Sequence, residues 1–225
     1  METGSSAWAK EAKAVFRKEV VAELRFRHGL TSSIMMALLT VVAIAFATYG
    51  QPLAAGHHAG LIWVALLFGS FAALGRGFIQ EEETGTADFL RSIVSGAGAF
   101  WGKWFYHALL FAVIASVSLP VYYLLLVPVV ASPMALVAVF LVGGASLVSA
   151  LTFCGALVAR SSAKGMLLAV AAFPILLPWT IMAIAATKAA LLGDNSWTAI
   201  QGLIGYSLAQ CGAASLLLDR IWSEK

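Results

Sequence analysis

Long apolar stretches dominate the chain, and short polar connections separate them. Crossing a hydrocarbon core about 30 Å thick takes about 20 helical residues. Six stretches are long enough, at approximately Leu30–Tyr49, Ala59–Ile79, Trp104–Val127, Met134–Val158, Gly165–Ala186 and Trp197–Leu218. Backbone N–H and C=O groups need internal partners in lipid, and these stretches are too long and too evenly apolar for barrel strands. The pattern therefore predicts an all-α membrane protein with six transmembrane helices.

The residues before the first span predict a different helix. At about 100° per residue one face carries the apolar side chains Trp8, Ala12, Val15, Phe16, Ala22 and Phe26, interrupted by Glu19, and the opposite face carries Lys10, Lys13 and Arg17. Glu23 stands four residues before Arg27, a favourable ion-pair spacing. This pattern is typical of a helix in the cytoplasmic membrane interface, with its cations near anionic headgroups. The alternative is a solvated leader that only sets topology.

Basic residues indicate the orientation of the spans. Thirteen of the fourteen Lys and Arg residues fall on one side. They are Lys10, Lys13, Arg17, Lys18, Arg25 and Arg27 before the first span, Arg76, Arg91 and Lys103 between spans two and three, Arg160 and Lys164 between spans four and five, and Arg220 and Lys225 in the tail. Lys188 alone falls on the other side. The positive-inside rule assigns the basic side to the cytoplasm, and an even number of spans places both termini there.

These patterns divide the chain into three parts. We predict a cytoplasmic leader and interfacial (elbow) helix at residues 1–29, a six-helix transmembrane domain at 30–218 and a cytoplasmic tail at 219–225. The interfacial residues of the elbow would be Trp8, Phe16, Arg17 and Arg25. Composition agrees, since 61% of the 225 residues are hydrophobic and 11% charged, against about 45–50% and about 25% in soluble domains.

The connection between spans two and three is the most informative polar segment, at about residues 80–95. Glu81, Glu82 and Glu83 form an acidic run on the otherwise basic side. Thr86 is expected to cap a short helix that starts at Ala87, with Asp88 in its first turn, where the helix dipole favours an anion. That helix would present Phe89, Leu90, Ile93 and Val94 on one side and Arg91 and Ser92 on the other. It suits docking into a partner's groove; the alternative is a solvated loop with an interfacial helix.

Small residues and prolines affect how the spans pack. Span four contains Gly143 and Gly144, and span six contains Gly205 and Gly212, which allow close helix approach. We interpret them as serving intramolecular packing, with a homodimer seam as the alternative. Pro120, Pro174 and Pro178 are expected to kink or break their helices, which makes span five the least regular.

Catalytic motifs are missing from the sequence. It contains no HExxH, no GxSxG and no phosphate loop, because the stretch from Gly96 to Lys103 has the wrong spacing. We therefore predict a non-catalytic subunit without a metal site, so any ATP dependence must come from a partner. His57 and His58 are adjacent, do not share a helix face and are interpreted as solvated loop histidines. His107 is interpreted as a packed or interfacial residue.

Several segments together indicate a family. The chain carries Phe16-Arg17-Lys18-Glu19 and Glu23-Leu24-Arg25 before the first span, then Trp63-Val64-Ala65-Leu66-Leu67-Phe68 running into Leu74-Gly75-Arg76, then the acidic run with Gly85-Thr86. In this order the segments resemble the CcmB family, haem exporter protein B of cytochrome c maturation, over the first ~105 residues; the second half matches by span pattern only. Family members often have a proline where Ser95-Gly96 stands here.

The resemblance implies a multi-pass subunit of the bacterial inner membrane, with an ABC-2-type exporter-like fold. It implies that Glu81 to Leu90 meets a separate cytoplasmic ABC ATPase, which binds ATP and Mg. The expected partners are that ATPase, a multi-span haem-handling protein, a small single-span subunit, a periplasmic haem chaperone, lipid and a second copy of this chain, but not nucleic acid. ATP hydrolysis would be tied to release of the haem-loaded chaperone. Haem would be handled by the complex, and no residue here is assigned to haem binding. The alternative is a permease subunit exporting another substrate, such as a lipid or drug.

Overall fold

The computed structural model describes residues 4–26 and 28–223, with side chains for residues 8–25 and 29–217. All regular secondary structure in these ranges is helical. The helices are α1 (Gly4–Phe26), α2 (His28–Ala47), α3 (Ala55–Gly75), α4 (Gly77–Glu83), α5 (Ala87–Ile93), α6 (Gly96–Leu126), α7 (Pro133–Val158), α8 (Lys164–Leu192) and α9 (Trp197–Ser223). The predicted all-α class is confirmed.

Five segments of the described residues are long and apolar enough to cross a membrane. They are Gly29–Ala47, Ala55–Glu83, Gly96–Leu126, Pro133–Val158 and Lys164–Leu192. These segments correspond to predicted spans one to five. Helix α9 has 27 residues but is not among them, and Gln201 and Gln210 make its described part more polar. The sixth span therefore stays a prediction.

Helix α1 packs along the first half of α6. Ala12 and Val15 are buried there, and the backbones come close because residue 102 of α6 is glycine. A Cβ atom at Gly102 would lie 2.6 Å from Val15 Cβ and 2.7 Å from the Ala12 carbonyl oxygen. Part of the face that was predicted to enter the lipid thus contacts protein. Phe26 and Arg27, including the predicted Glu23–Arg27 pair, lie outside the described side chains, as does the tail 219–225.

Helix α7 lies at the centre of the bundle and packs against α3, α4, α6, α8 and α9. Gly143 lets the Trp63 ring approach, since a Cβ atom there would meet it at 2.8 Å. Trp63 packs edge-on against Trp179 at 5.2 Å between ring centroids, and Trp179 Nε1 donates to the Gly143 carbonyl. The interpretation of the span-four glycines as intramolecular packing residues is confirmed. A Cβ atom at Gly205 or Gly212, in contrast, would meet no described neighbour within 4 Å.

The three span prolines do not break their helices, which was one of the two expected outcomes, and a kink stays a prediction. Helix α8 continues through Pro174 and Pro178, and α6 continues through Pro120. Near the α8 prolines the Tyr206 hydroxyl donates to the Ile175 carbonyl at 2.7 Å.

The histidines also differ from expectation. His57 and His58 belong to the first turn of α3 rather than to a loop. His57 is exposed, but His58 is buried, with its Nδ1 atom 3.1 Å from the Tyr122 hydroxyl. The solvated interpretation of His58 was therefore wrong. His107 is fully buried and pairs with Thr152, with 2.8 Å between Nδ1 and Oγ1, which confirms that it is a packed residue.

Candidate functional site

The predicted coupling segment folds as two short helices. Helix α4 follows α3 after a bend at Arg76, and the turn Thr84-Gly85-Thr86 leads into α5. Gly85 has a φ of +71°, a conformation that favours glycine. Helix α5 starts at Ala87 with Asp88 in its first turn, as predicted. Thr86 holds the N-cap position but makes no side-chain cap; its hydroxyl contacts the Glu81 carboxylate instead.

The apolar residues of α5 do not all face outward. Phe89 and Ile93 are 69% and 57% exposed. They lie one helical turn apart, so they share a face. Leu90 and Val94 are buried against the bundle. The expectation that Leu90 and Val94 are presented to a partner was therefore wrong, and we define the exposed pair Phe89 and Ile93 as the α5 outer face.

The acidic run does not form an unpaired patch, because each of the three carboxylates has a partner. Glu82 pairs with Arg91, whose guanidinium also lies 2.9 Å from Asp88. Glu83 pairs with Arg76 at 3.1 Å. Glu81 is buried and points into the bundle. Glu82 therefore ties α4 to α5, and Glu83 ties α4 to the bend at Arg76.

Glu81 belongs to a cluster centred on Lys103, a residue of α6 whose side chain is 0% exposed. Lys103 Nζ donates to the Gly77 carbonyl at 2.9 Å, to Glu81 Oε1 at 3.0 Å and, closer still, to Glu19. An ammonium group has three donors, and all three are used. Lys18 contacts Glu81 and lies 3.2 Å from Glu19. We call Lys18, Glu19, Glu81 and Lys103 the Lys103 cluster.

The Lys103 cluster joins three helices and is electrically balanced. Lys18 and Glu19 come from α1, Glu81 from α4 and Lys103 from α6. Two cations face two carboxylates, which is the condition under which buried charges are tolerated. Burial acts to lower the pKa of Lys18, but Glu19 and Glu81 outweigh it and raise that pKa above its ordinary value. Lys18 therefore remains charged at neutral pH.

Glu11 and Glu23 extend the connection of α1 to its neighbours. Glu11 accepts from the Ser95 N–H at 3.0 Å, and Ser95 caps α6 by accepting from the Gly98 N–H. Glu23 accepts from the Tyr106 hydroxyl at 3.0 Å and from the Leu30 N–H at 2.7 Å. The chain thus leaves the coupling segment through a helix cap at Ser95.

Sequence reasoning missed Lys103 and Glu19 as site residues. Lys103 was counted only as a topology signal, and Glu19 only as an interruption of an apolar stripe. Their common signal is a charge on a face that is otherwise apolar, which generally requires a partner. Of the predicted elbow residues, Trp8, Arg17 and Arg25 are exposed and Phe16 is half-buried. Among the described residues, no group of three or more His, Cys, Asp and Glu side chains could hold a metal ion.

Among the described residues, five apolar segments are long enough to cross a membrane, and this is the pattern of a multi-pass helical membrane protein. The model of the CcmB protein family matches residues 10–218, so the chain belongs to this family. The Heme exporter protein B of Bradyrhizobium diazoefficiens is 31% identical over 196 residues, which cover 83% of this chain and 85% of that protein. The similarity therefore extends through the second half of the chain.

Proposed function

We propose that this chain is the membrane subunit of an ATP-driven haem exporter complex of cytochrome c maturation. Its membership of the CcmB family and its similarity to a Heme exporter protein B support the class of complex. The observation that carries the mechanism is the Lys103 cluster, which joins the short helix α4 to α1 and α6. In this proposal a separate ATPase binds ATP and Mg, and this subunit transmits the motion of the ATPase into the membrane helices.

The docking element is the α5 outer face. Phe89 and Ile93 are large, apolar and exposed on a helix whose other side is fixed to the bundle. Apolar side chains one turn apart are what a helix-binding groove accepts. The ion pair of Arg91 with Glu82 fixes this face relative to α4. An ATPase that moves α5 would therefore move α4 with it.

The Lys103 cluster is the transmission element. A displaced α4 carries Glu81, which is bonded to Lys103 of α6 and to Lys18 of α1. Separating one partner from a buried ion pair costs about 3–5 kcal/mol. The three helices therefore move together more easily than apart, and the motion passes into the long helix α6 and towards the opposite side of the membrane.

The remaining partners follow from the family. We propose that the subunit pairs with a second copy, since a two-fold ATPase normally needs two membrane halves. It would work beside a multi-span haem-handling protein and a single-span subunit, and ATP hydrolysis would release the haem-loaded chaperone on the opposite side. Haem is handled by this complex, and we assign no haem ligand within the chain.

Replacing Phe89 with Asp tests the docking element, because it places a charge at the centre of the α5 outer face. We expect membrane insertion to persist while the ATPase is lost from the complex purified in mild detergent, together with its ATP-dependent haem-chaperone release. Ser162→Asp is the matched control, since it adds the same charge to an exposed position of the α7–α8 connection, outside α5. Retention of the ATPase by Phe89→Asp would show that this face does not dock it. Recovery of an ATPase without any haem-handling protein would favour export of another substrate.

A further inference from the structure

Helix α1 separates its charges by face. All three acidic residues among its described side chains turn inward: Glu11 to Ser95, Glu19 to Lys103 and Glu23 to Tyr106 and the Leu30 N–H. The exposed side carries Lys10, Lys13 and Arg17. These cations line a shallow concavity of about 790 Å³ with Ala14, Lys18, Val21 and Arg25. Over residues 8–25, the outward face of α1 is therefore basic.

An apolar groove lies directly beside this basic face. It has a volume of about 460 Å³ and is formed by Trp8, Ala9, Ala12, Lys13 and Phe16 of α1 with Phe105 and Leu109 of α6. Phe105 and Leu109 are 49% and 43% exposed. Lys13 borders both the groove and the basic concavity, so an apolar slot and a cationic surface meet at one residue.

The groove lies at the level of an aromatic cluster. Trp101, Trp104 and Phe105 pack edge-on or tilted against one another, with ring centroids 5.2–6.1 Å apart. Tryptophan-rich bands of this kind are enriched where the hydrocarbon core meets the headgroups. At that depth a bound molecule has its apolar part in the hydrocarbon and its polar part in water.

We propose that the groove and the basic face of α1 form a binding site for one anionic phospholipid. An acyl chain lies between Phe16, Phe105 and Leu109, and the phosphate lies against Lys13 and Arg17. Charge complementarity selects an anionic headgroup, and the apolar groove selects a lipid over a soluble phosphate. The site needs the membrane but not the ATPase, so it stands apart from the docking proposal.

The test is a lipid titration of the purified full-length chain in mild detergent, with bound lipids counted by native mass spectrometry. The probes are dioleoyl phosphatidylglycerol and dioleoyl phosphatidylcholine. Each cation near an anionic surface contributes about 1 kcal/mol, or about fivefold in affinity. We therefore expect Lys13→Gln with Arg17→Gln to weaken phosphatidylglycerol binding on the order of 30-fold. The matched control, Arg160→Gln with Lys164→Gln, removes two cations from the α7–α8 connection and should leave binding within about twofold.

A groove variant tests the acyl-chain contact. Phe105→Ala should reduce the preference for dioleoyl over dihexanoyl phosphatidylglycerol while leaving the preference for the anionic headgroup. Far-ultraviolet circular dichroism and gel filtration confirm that each variant is folded. The proposal is overturned if the Lys13 and Arg17 variant binds like the wild type or if the control loses as much. It is equally overturned if phosphatidylcholine binds as tightly, or if the chain-length preference survives in Phe105→Ala.

Discussion

Lys103 shows how a single side chain organises one end of this bundle. Its ammonium group is fully buried yet satisfied by two carboxylates and one carbonyl, which come from α1 and α4. The Phe78 ring lies 5.4 Å from the same ammonium group and adds a cation–π contact. Because the acceptors belong to two other helices, neither helix can move away without leaving the buried charge short of partners.

Replacing Lys103 with Met should destabilise the protein strongly. The change leaves Glu19 and Glu81 facing each other with only Lys18 between them, and breaking a buried ion pair costs about 3–5 kcal/mol. The measurement is the melting temperature of the purified protein in mild detergent. Lys188→Met is the control, since Lys188 is exposed and surface changes fall within about 0.5 kcal/mol. Equal melting temperatures for the two variants would show that the cluster does not stabilise this end.

Residue-level prediction from the sequence was limited by tertiary contacts. The start of α5 at Ala87 was predictable from its turn residues, but its buried face was not. Phe89, Leu90 and Ile93 occupy two adjacent faces of a helix that has only seven residues, and Val94 follows it in an extended conformation. The helices that α5 packs against decide which of its faces is buried, so the sequence alone did not show that Leu90 is buried. Thr86 was expected to cap α5 by accepting from a backbone N–H, but its backbone is helical rather than extended and its hydroxyl donates to the Glu81 carboxylate.

At the level of elements, the long apolar helices were predictable because hydrophobic length alone defines them. The bend at Arg76 was not predicted. It lies between Gly75 and Gly77, and Gly77 packs so closely on His107 that a Cβ atom would lie 2.5 Å from the ring. The contact between α1 and α6 was also missed, since a helix that packs on protein and one that lies on lipid show the same apolar stripe.

Replacing Gly102 with Ala tests the α1–α6 contact. In a helix this change normally stabilises by about 1 kcal/mol, but here the new methyl group would collide with Val15 and the Ala12 carbonyl. We expect a lower melting temperature and faster amide hydrogen exchange in residues 8–25. Gly205→Ala has open space around it and should leave exchange in α1 unchanged and stability equal or higher. If Gly102→Ala leaves amide hydrogen exchange in residues 8–25 unchanged, α1 and α6 do not approach each other as closely as described.

At the level of the whole molecule, the path of α9 decides the topology. Helix α9 is 27 residues long, which at 1.5 Å per residue is about 40 Å and enough to cross a bilayer. Of its two glutamines, Gln210 is buried inside the bundle and Gln201 is exposed. If α9 crosses, both ends of the chain share the side that carries the Lys103 cluster and the α5 outer face. If it does not, the C-terminus lies on the opposite side.

Reporter fusions distinguish these two topologies. With six spans, green fluorescent protein fused after Lys225 should fluoresce, because it folds in the cytoplasm, and alkaline phosphatase fused there should be inactive. Fused after Asn195, before α9 begins, alkaline phosphatase should be active, because that point lies outside. The two fusions control for each other, since only α9 lies between the two fusion points. An active phosphatase after Lys225 would reduce the count to five spans. The α5 outer face would still be available to a cytoplasmic ATPase, because it precedes α9 and its side is set by the first spans and their basic flanks.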